Sequence, residues 1–413
     1  MKLSHTRQGF RPIQGRQLYR HEHFHHGHKY NHTSGPTAAW DTWFYPPEMA
    51  NDLRDSGLPE KFVAETLACA WEFTRCIIPH FTNYERYLAY ARLIAISTVA
   101  EYSGSLMDVL KDGDKLLGYD IGALLDQLLD GTPAHRDMAR EFRANLLFTA
   151  DKSCNRRNSD LFRRYVNGLA RSPRDWFRLR DCDGLARFTI AAALACNDIF
   201  DVWFDEEQLQ IFGELSLAMY DAVAYHKHRA EGETHNTYAY AGYEARGEAY
   251  RRCREVLWAL DAAGARDMSL QCAISFVRYI GGPIHLMMRR YRFVDDGLQV
   301  CRPEDERLVD AARQHVKLWN RVDVGEAVQD DRYAAVMARD DELLFPGLAD
   351  LLELGAEGHC KDCRFRDVYG ADASGRFGGV ELCDGCEKEW QDYLEDLPVR
   401  AAEAFPVLRS SWK

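Results

Sequence analysis

Apolar residues recur at three- and four-residue spacing through Lys61–Cys76, Glu85–Leu110, His135–Ala150, Asp183–Trp203, Glu206–His228, Glu244–Ala262 and Glu304–Leu318. That spacing is the period of an α-helix with one face buried. Alternating strand patterns are almost absent before residue 355. Pro36, Pro46, Pro47, Pro133, Pro173, Pro283, Pro303 and Pro346 punctuate the segments. An all-α body is therefore expected. Asp183–Trp203 is apolar nearly all round, which places it in the centre of that body.

The chain has 413 residues, 46% of them hydrophobic and 28% charged, enough to bury a sizeable core without crosslinks. Three parts are expected. Residues 1–37 form a polar tail with His21, His23, His25, His26, His28 and His32, and residues 38–354 form the helical body. In residues 355–413 glycine, cysteine and charge rise before a helical pattern returns over Glu387–Phe405. A net charge of −12 argues against a general nucleic-acid binder, which needs basic faces to neutralise phosphate. No stretch is long and apolar enough for a transmembrane helix, and the start lacks a signal-peptide core. A soluble, cytoplasmic protein is the expectation.

Of the 12 cysteines, eight are scattered and read as small buried hydrophobes. The other four form the pairs Cys360-Lys-Asp-Cys363 and Cys383-Asp-Gly-Cys386. Two such knuckles at this separation suit tetrahedral zinc. Four thiolates fill the coordination sphere and leave no position for a substrate, so the expected role of the Zn²⁺ is structural. Four free or disulfide-paired cysteines are the plain alternative.

Asn197-Asp198-Ile199-Phe200-Asp201 ends the central apolar pattern. If helical, it would bring Asn197, Asp198 and Asp201 onto one face, where their oxygens could hold Mg²⁺. A capping Asp pair at the helix exit is the bland reading. Downstream, His226-Lys227-His228-Arg229-Ala230-Glu231-Gly232-Glu233 mixes phosphate-binding cations, Lys227 and Arg229, with metal-ligating carboxylates, Glu231 and Glu233. A charged helix end explains the same composition. Arginine clusters that include Arg157, Arg289, Arg290 and Arg292 offer planar forks that match phosphate oxygens. Many such arginines are simply solvated or paired. Glu101 closes the apolar run Leu93–Ala100, where burial would raise its pKa and suit it to proton transfer.

These motifs add up to a resemblance. Asp41-Thr-Trp-Phe-Tyr-Pro-Pro through Trp71-Glu-Phe-Thr-Arg-Cys, Gly118-Tyr-Asp, Gly131-Thr-Pro and Trp176-Phe-Arg-Leu-Arg-Asp-Cys-Asp through Cys196-Asn-Asp are similar to blocks of the fungal α-ionylideneethane synthase family of abscisic-acid biosynthesis. So are His228-Arg-Ala-Glu-Gly-Glu, Gly281-Gly-Pro-Ile-His through Arg289-Arg-Tyr-Arg-Phe, and the cysteine quartet. The resemblance covers nearly everything after residue 38. It implies a helical terpene-synthase-like body that converts farnesyl diphosphate to a monocyclic C15 hydrocarbon, with Mg²⁺ as cofactor. The implied chemistry is loss of diphosphate, deprotonation to a neutral polyene, reprotonation and ring closure. Glu101, His135, Asp183 and Glu231 are the candidates for acid and base. Arg157, Lys227, Arg229, Arg289, Arg290 and Arg292 are those for the diphosphate, and Asn197, Asp198, Asp201, Glu231 and Glu233 those for Mg²⁺. Phe200 stands where the family pattern leads one to expect Asp, and the standard second metal motif of terpene synthases, N-D-x-x-S-x-x-x-E, is missing. A non-catalytic helical scaffold with a partner-binding zinc module is the alternative. It predicts scattered charges and no central cavity.

Overall fold

The computed structural model describes residues 43–169, 171–231, 235–286, 331–355, 360–365 and 380–410. The histidine-rich tail and the expected helix Glu304–Leu318 lie outside these residues. The described body, within the compact unit Trp43–Lys413, is all-α apart from two short hairpins.

Its helices are α1 (Glu60–Ile77), α2 (Tyr84–Ser103), α3 (Val109–Asp112), α4 (Ile121–Leu129), α5 (His135–Lys152), α6 (Asp160–Leu169), α7 (Pro173–Gly184), α8 (Ala186–Cys196), α9 (Glu206–Glu231), α10 (Ala245–Ala263) and α11 (Met268–Ile280). Beyond residue 330 the described helices are α12 (Arg332–Met337), α13 (Asp340–Leu343), α14 (Leu348–Leu354), α15 (Asp384–Glu395) and α16 (Leu397–Ala404). The antiparallel hairpin β1–β2 pairs Lys115–Leu116 with Tyr119–Asp120, and β3–β4 pairs Arg364–Phe365 with Val380–Glu381.

Every one of the 11 residues of α8 is buried, from Ala186 to Cys196. Its Ala191-Ala192-Ala193 run keeps the helix thin, so α4, α5, α9 and α11 can approach it from all sides. The continuous helix expected over Asp183–Trp203 is in fact the end of α7, a break, and α8. Leu185 sits at φ 53, in the left-handed region. The break is held because the Asp181 carboxylate accepts from Ala186 N at 2.6 Å, supplying a cap to the first turn of α8. Arg187 secures the same turn by pairing with Asp181 and Glu206. At the other end α8 stops at Cys196, whose carbonyl accepts from Thr82 N and Asn83 N.

α5 and α12 are joined by a buried ionic cluster. Asp151, fully buried, accepts from Arg156 at 2.6 Å and from Arg332 at 2.7 and 2.9 Å. Arg332 also forks onto Asp108 at 2.9 and 3.0 Å. The final helices fold back over α7 and α9. Trp390 on α15 is 1% exposed and packs on Trp176, Phe177 and Tyr240, with ring centroids 5.6, 6.1 and 5.5 Å away. Glu214 on α9, itself buried, accepts from Tyr393 Oη at 2.5 Å and from Arg400 at 2.5 Å.

Candidate functional site

The break between α7 and α8 opens onto a cavity in the middle of the body. Its volume is about 80 Å³, with further space opening toward solvent. α2 contributes Ile94, Ser97, Thr98 and Glu101, which share one helix face. Asn145 and Thr149 come from α5, one turn apart, and Leu217 and Tyr220 from α9. Arg180, Asp183, Gly184 and Leu185 line the cavity where α7 ends. Phe73, Ile280 and Ile284 complete an apolar wall.

The charged pole is tightly bound. Asp183 accepts from Lys152 Nζ at 2.7 Å and from Arg180 at 2.5 Å. Burial acts to raise the Asp183 pKa, but Lys152, Arg180 and His235 outweigh it and hold the carboxyl well below its ordinary range. The other edge of the Arg180 guanidinium reaches Asp221 at 3.3 Å. Arg180 Nε is buried and has no hydrogen-bond partner among the described residues. A buried donor of that kind is costly unless something else accepts from it. The cavity thus joins an apolar wall to a guanidinium with one N–H uncommitted.

A second cavity, of about 370 Å³, lies at the far end of α8 and is lined by His80, Asn197, Asp261, Met268, Cys272 and Arg278 among others, within the ~300–1,000 Å³ usual for small-molecule sites. Volume favours this one, but the disposition of charge favours the first. Asn197 Nδ2 already donates to the carbonyls of His80 and Ala193, each at 2.9 Å, and Arg278 pairs with Asp261 at 2.8 Å.

Of the residues expected from the sequence, Glu101 and Asp183 meet in the central cavity. His135 does not; it starts α5 and pairs with Asp126 at 3.0 Å near the surface. Arg157 is half-buried in the 3-10 turn after α5 and does not line the central cavity. Lys227, Arg229 and Glu231 are in the last turns of α9, though their side chains are not among those described. Glu233, Arg289, Arg290 and Arg292 lie outside the described residues.

Asn197, Asp198 and Asp201 are not with Asp183. The 11-residue α8 separates them from it, a span of about 16 Å. Nor do they form the helical face expected of them, because Asn197 is the C-cap of α8 and Asp198 has φ 54. The Asp198 carboxylate accepts from Thr82 Oγ1 at 2.8 Å and Asn83 Nδ2 at 3.1 Å, which ties the end of α8 to the loop before α2. These two bonds hold its pKa below the usual value.

Sequence reasoning missed Arg180, Lys152 and Asp221. The available signal was Arg180 and Asp183 at i, i+3 just before Gly184, which puts a cation and a carboxylate on one face at a helix end.

The cysteine quartet converges. The four Sγ atoms lie within 4.8 Å of one another, with Cys360 and Cys383 at 3.9 Å. Thiolates about 2.3 Å from a tetrahedral zinc stand roughly 3.8 Å apart, so the donor set fits Zn²⁺. β3–β4 brings the two knuckles together, and Cys383 and Cys386 sit at the head of α15, whose Trp390 reaches α7. Among the described residues this quartet is the one group of three or more such side chains close enough to hold an ion.

Residues 41–407 match the family described as alpha-ionylideneethane synthase aba3. An alpha-ionylideneethane synthase of Botryotinia fuckeliana is 53% identical over 375 residues, covering 90% of this chain and 85% of its own. Relatives of the same description from Leptosphaeria maculans (89% of this chain, 86% of theirs) and Pyricularia oryzae (89% and 83%) are 51% and 44% identical. A match of this length, carried through the cavity residues and on past the cysteine quartet, shows that the chain belongs to the alpha-ionylideneethane synthase family.

Proposed function

We propose that this protein is a sesquiterpene synthase that binds farnesyl diphosphate in the central cavity and converts it to a C15 hydrocarbon, α-ionylideneethane by analogy with the named relatives. The observation that carries the reading is Arg180. Arg180, a buried guanidinium with an uncommitted Nε–H, lines a cavity whose apolar side is formed by Phe73, Ile94, Leu185, Leu217, Ile280 and Ile284. A diphosphate oxygen would satisfy that donor, and the hydrocarbon tail would lie along the apolar wall. Preorganised cations stabilise the departing diphosphate, which takes the C1–O electron pair and leaves an allylic cation. A proton lost from the cation gives a neutral polyene. Its return at another carbon drives ring closure, and a final proton loss ends the sequence.

Asp183, ionised and bound by Lys152 and Arg180, acts here as an anchor for the cations. Glu101 is the cavity carboxylate we assign to proton transfer. The apolar wall suits both steps by shielding one side of the cation from water. Mg²⁺ is expected from the resemblance, to neutralise the diphosphate. Asp183 is already doubly paired, and the described residues bring no group of three carboxylates together, so they do not by themselves form a site for the ion. Residues 38–354 would form the catalytic body, in the cytoplasm, and residues 355–413 the zinc module that braces it.

The test is incubation of purified protein with farnesyl diphosphate and Mg²⁺, followed by gas chromatography–mass spectrometry. The expected result is a C15 hydrocarbon that Arg180→Gln reduces at least about a hundredfold, the scale of losing one preorganised charge donor. A full yield from Arg180→Gln would move the diphosphate site elsewhere.

A further inference from the structure

Arg180 is gripped from two helices. Asp183 holds one edge of the guanidinium from its own helix, and Asp221 holds the other from α9. Asp221 is fully buried and does not line the cavity. Its Oδ2 is committed to the turn after α9, where it accepts from Thr237 N at 2.7 Å and Thr237 Oγ1 at 2.8 Å. Its carbonyl accepts from Asn236 Nδ2 at 3.0 Å. Oδ1 is left to face Arg180, with His228 Nδ1 3.8 Å away. Thr237 is in turn braced by Trp176 Nε1, which donates to its Oγ1 at 3.3 Å.

A guanidinium is planar, and one anchor leaves it free to turn about the line of that hydrogen bond. A second anchor on the opposite edge stops the rotation and fixes where Nε–H points. We propose that Asp221 is a positioning residue that, through its contact with Arg180 and its own fixation by Thr237, fixes the orientation of the Arg180 guanidinium where it lines the cavity. The inference rests on the reading that Arg180 meets the diphosphate of the substrate. Asp221 itself touches no substrate, and its effect passes wholly through Arg180. That makes the two residues one thermodynamic unit, which a double-mutant cycle can detect.

The probe is inorganic diphosphate, titrated calorimetrically into the full-length zinc-loaded protein with Mg²⁺ present, with farnesol binding as a parallel measure of the apolar wall. Arg180→Gln is expected to weaken diphosphate binding about tenfold or more, the usual size of a charge-assisted contact. Asp221→Asn should weaken it about three- to tenfold while farnesol binding holds, and the double variant should be no weaker than Arg180→Gln alone. If Arg180→Gln binds diphosphate normally, the diphosphate reading fails and the proposal falls with it. If Arg180→Gln weakens binding but Asp221→Asn does not, or the two effects multiply, the positioning role is overturned and the diphosphate reading stands. Loss of farnesol binding in Asp221→Asn would also overturn it, since the cavity itself would have deformed. Should Asp221→Asn fail to fold, Thr237→Val is judged by the same criteria, because it removes one bond to Asp221 and keeps the shape.

Discussion

Replacing Trp390 with alanine tests whether the cysteine-quartet module is seated on the helical body. The indole is 1% exposed and contacts Trp176, Phe177 and Tyr240. A buried tryptophan covers roughly 150–250 Å². At about 25 cal/mol per Å² that burial stabilises by about 4–6 kcal/mol. Measured Trp→Ala costs of about 3–5 kcal/mol are in line with it. An unfolding entropy of about 2.1 cal/mol/K per residue gives a chain of this size roughly 0.9 kcal/mol/K. A loss of about 4 kcal/mol then lowers Tm by about 4–5 °C. The assay is differential scanning calorimetry alongside zinc content by atomic absorption. Zinc should be retained, because the four ligands are local to the hairpin and the head of α15. Val399→Ala on α16, at a site 59% exposed, is the control and should leave Tm unchanged. A Trp390→Ala shift below about 1 °C with zinc retained would refute the reasoning, because the side chain would then not be buried in solution.

Arg332→Ala removes four hydrogen bonds from a cluster that leaves Asp151 with Arg156; breaking a buried pair this way should cost about 3 kcal/mol, read as a lower urea midpoint. Cys383→Ser with Cys386→Ser should abolish binding of one equivalent of zinc, measured with a chromogenic chelator, and lower Tm. Asp183 has its folded pKa below the unfolded value near 4, so its ion pairs stabilise fully above about pH 4 and are lost as pH falls through the folded value. The urea midpoint of the wild type should therefore drop on acidification below pH ~4, and Asp183→Asn should flatten that part of the profile. Asp198→Ala should cost about 1–2 kcal/mol through its bonds to Thr82 and Asn83, and leave calorimetric diphosphate binding unchanged; weaker binding would place the anion at the far end of α8.

Helices α1, α5, α9 and α10 were legible because one buried face leaves a 3.6-residue period, whatever they pack against. The cysteine quartet was legible because each knuckle is set within four residues. The break at Leu185 was not, since leucine carries no stop signal, and the cap that makes the break comes from the side chain of Asp181. The same limit hid the charged pole of the cavity. Arg180 and Asp221 are 41 residues apart, and only the packing of α7 on α9 brings them together. Asn197, Asp198 and Asp201 drew attention because a helix was assumed to continue through them. A left-handed residue at position 198 removes the shared face, and partners 115 and 116 residues earlier in the chain take up its carboxylate.

The folding of α15 and α16 over α7 and α9 also has a meaning in time. Translation delivers helices in order, and Glu214 emerges 179 residues before Tyr393 and 186 before Arg400. Until those partners leave the ribosome, α9 holds a carboxylate without its cation, and Trp176 and Phe177 on α7 lack the cover of Trp390. At about 5–20 residues per second that interval lasts roughly ten to forty seconds. The nascent chain spends it with an incompletely covered aromatic patch of the kind chaperones hold, so yield in a foreign host should rise with chaperone supply.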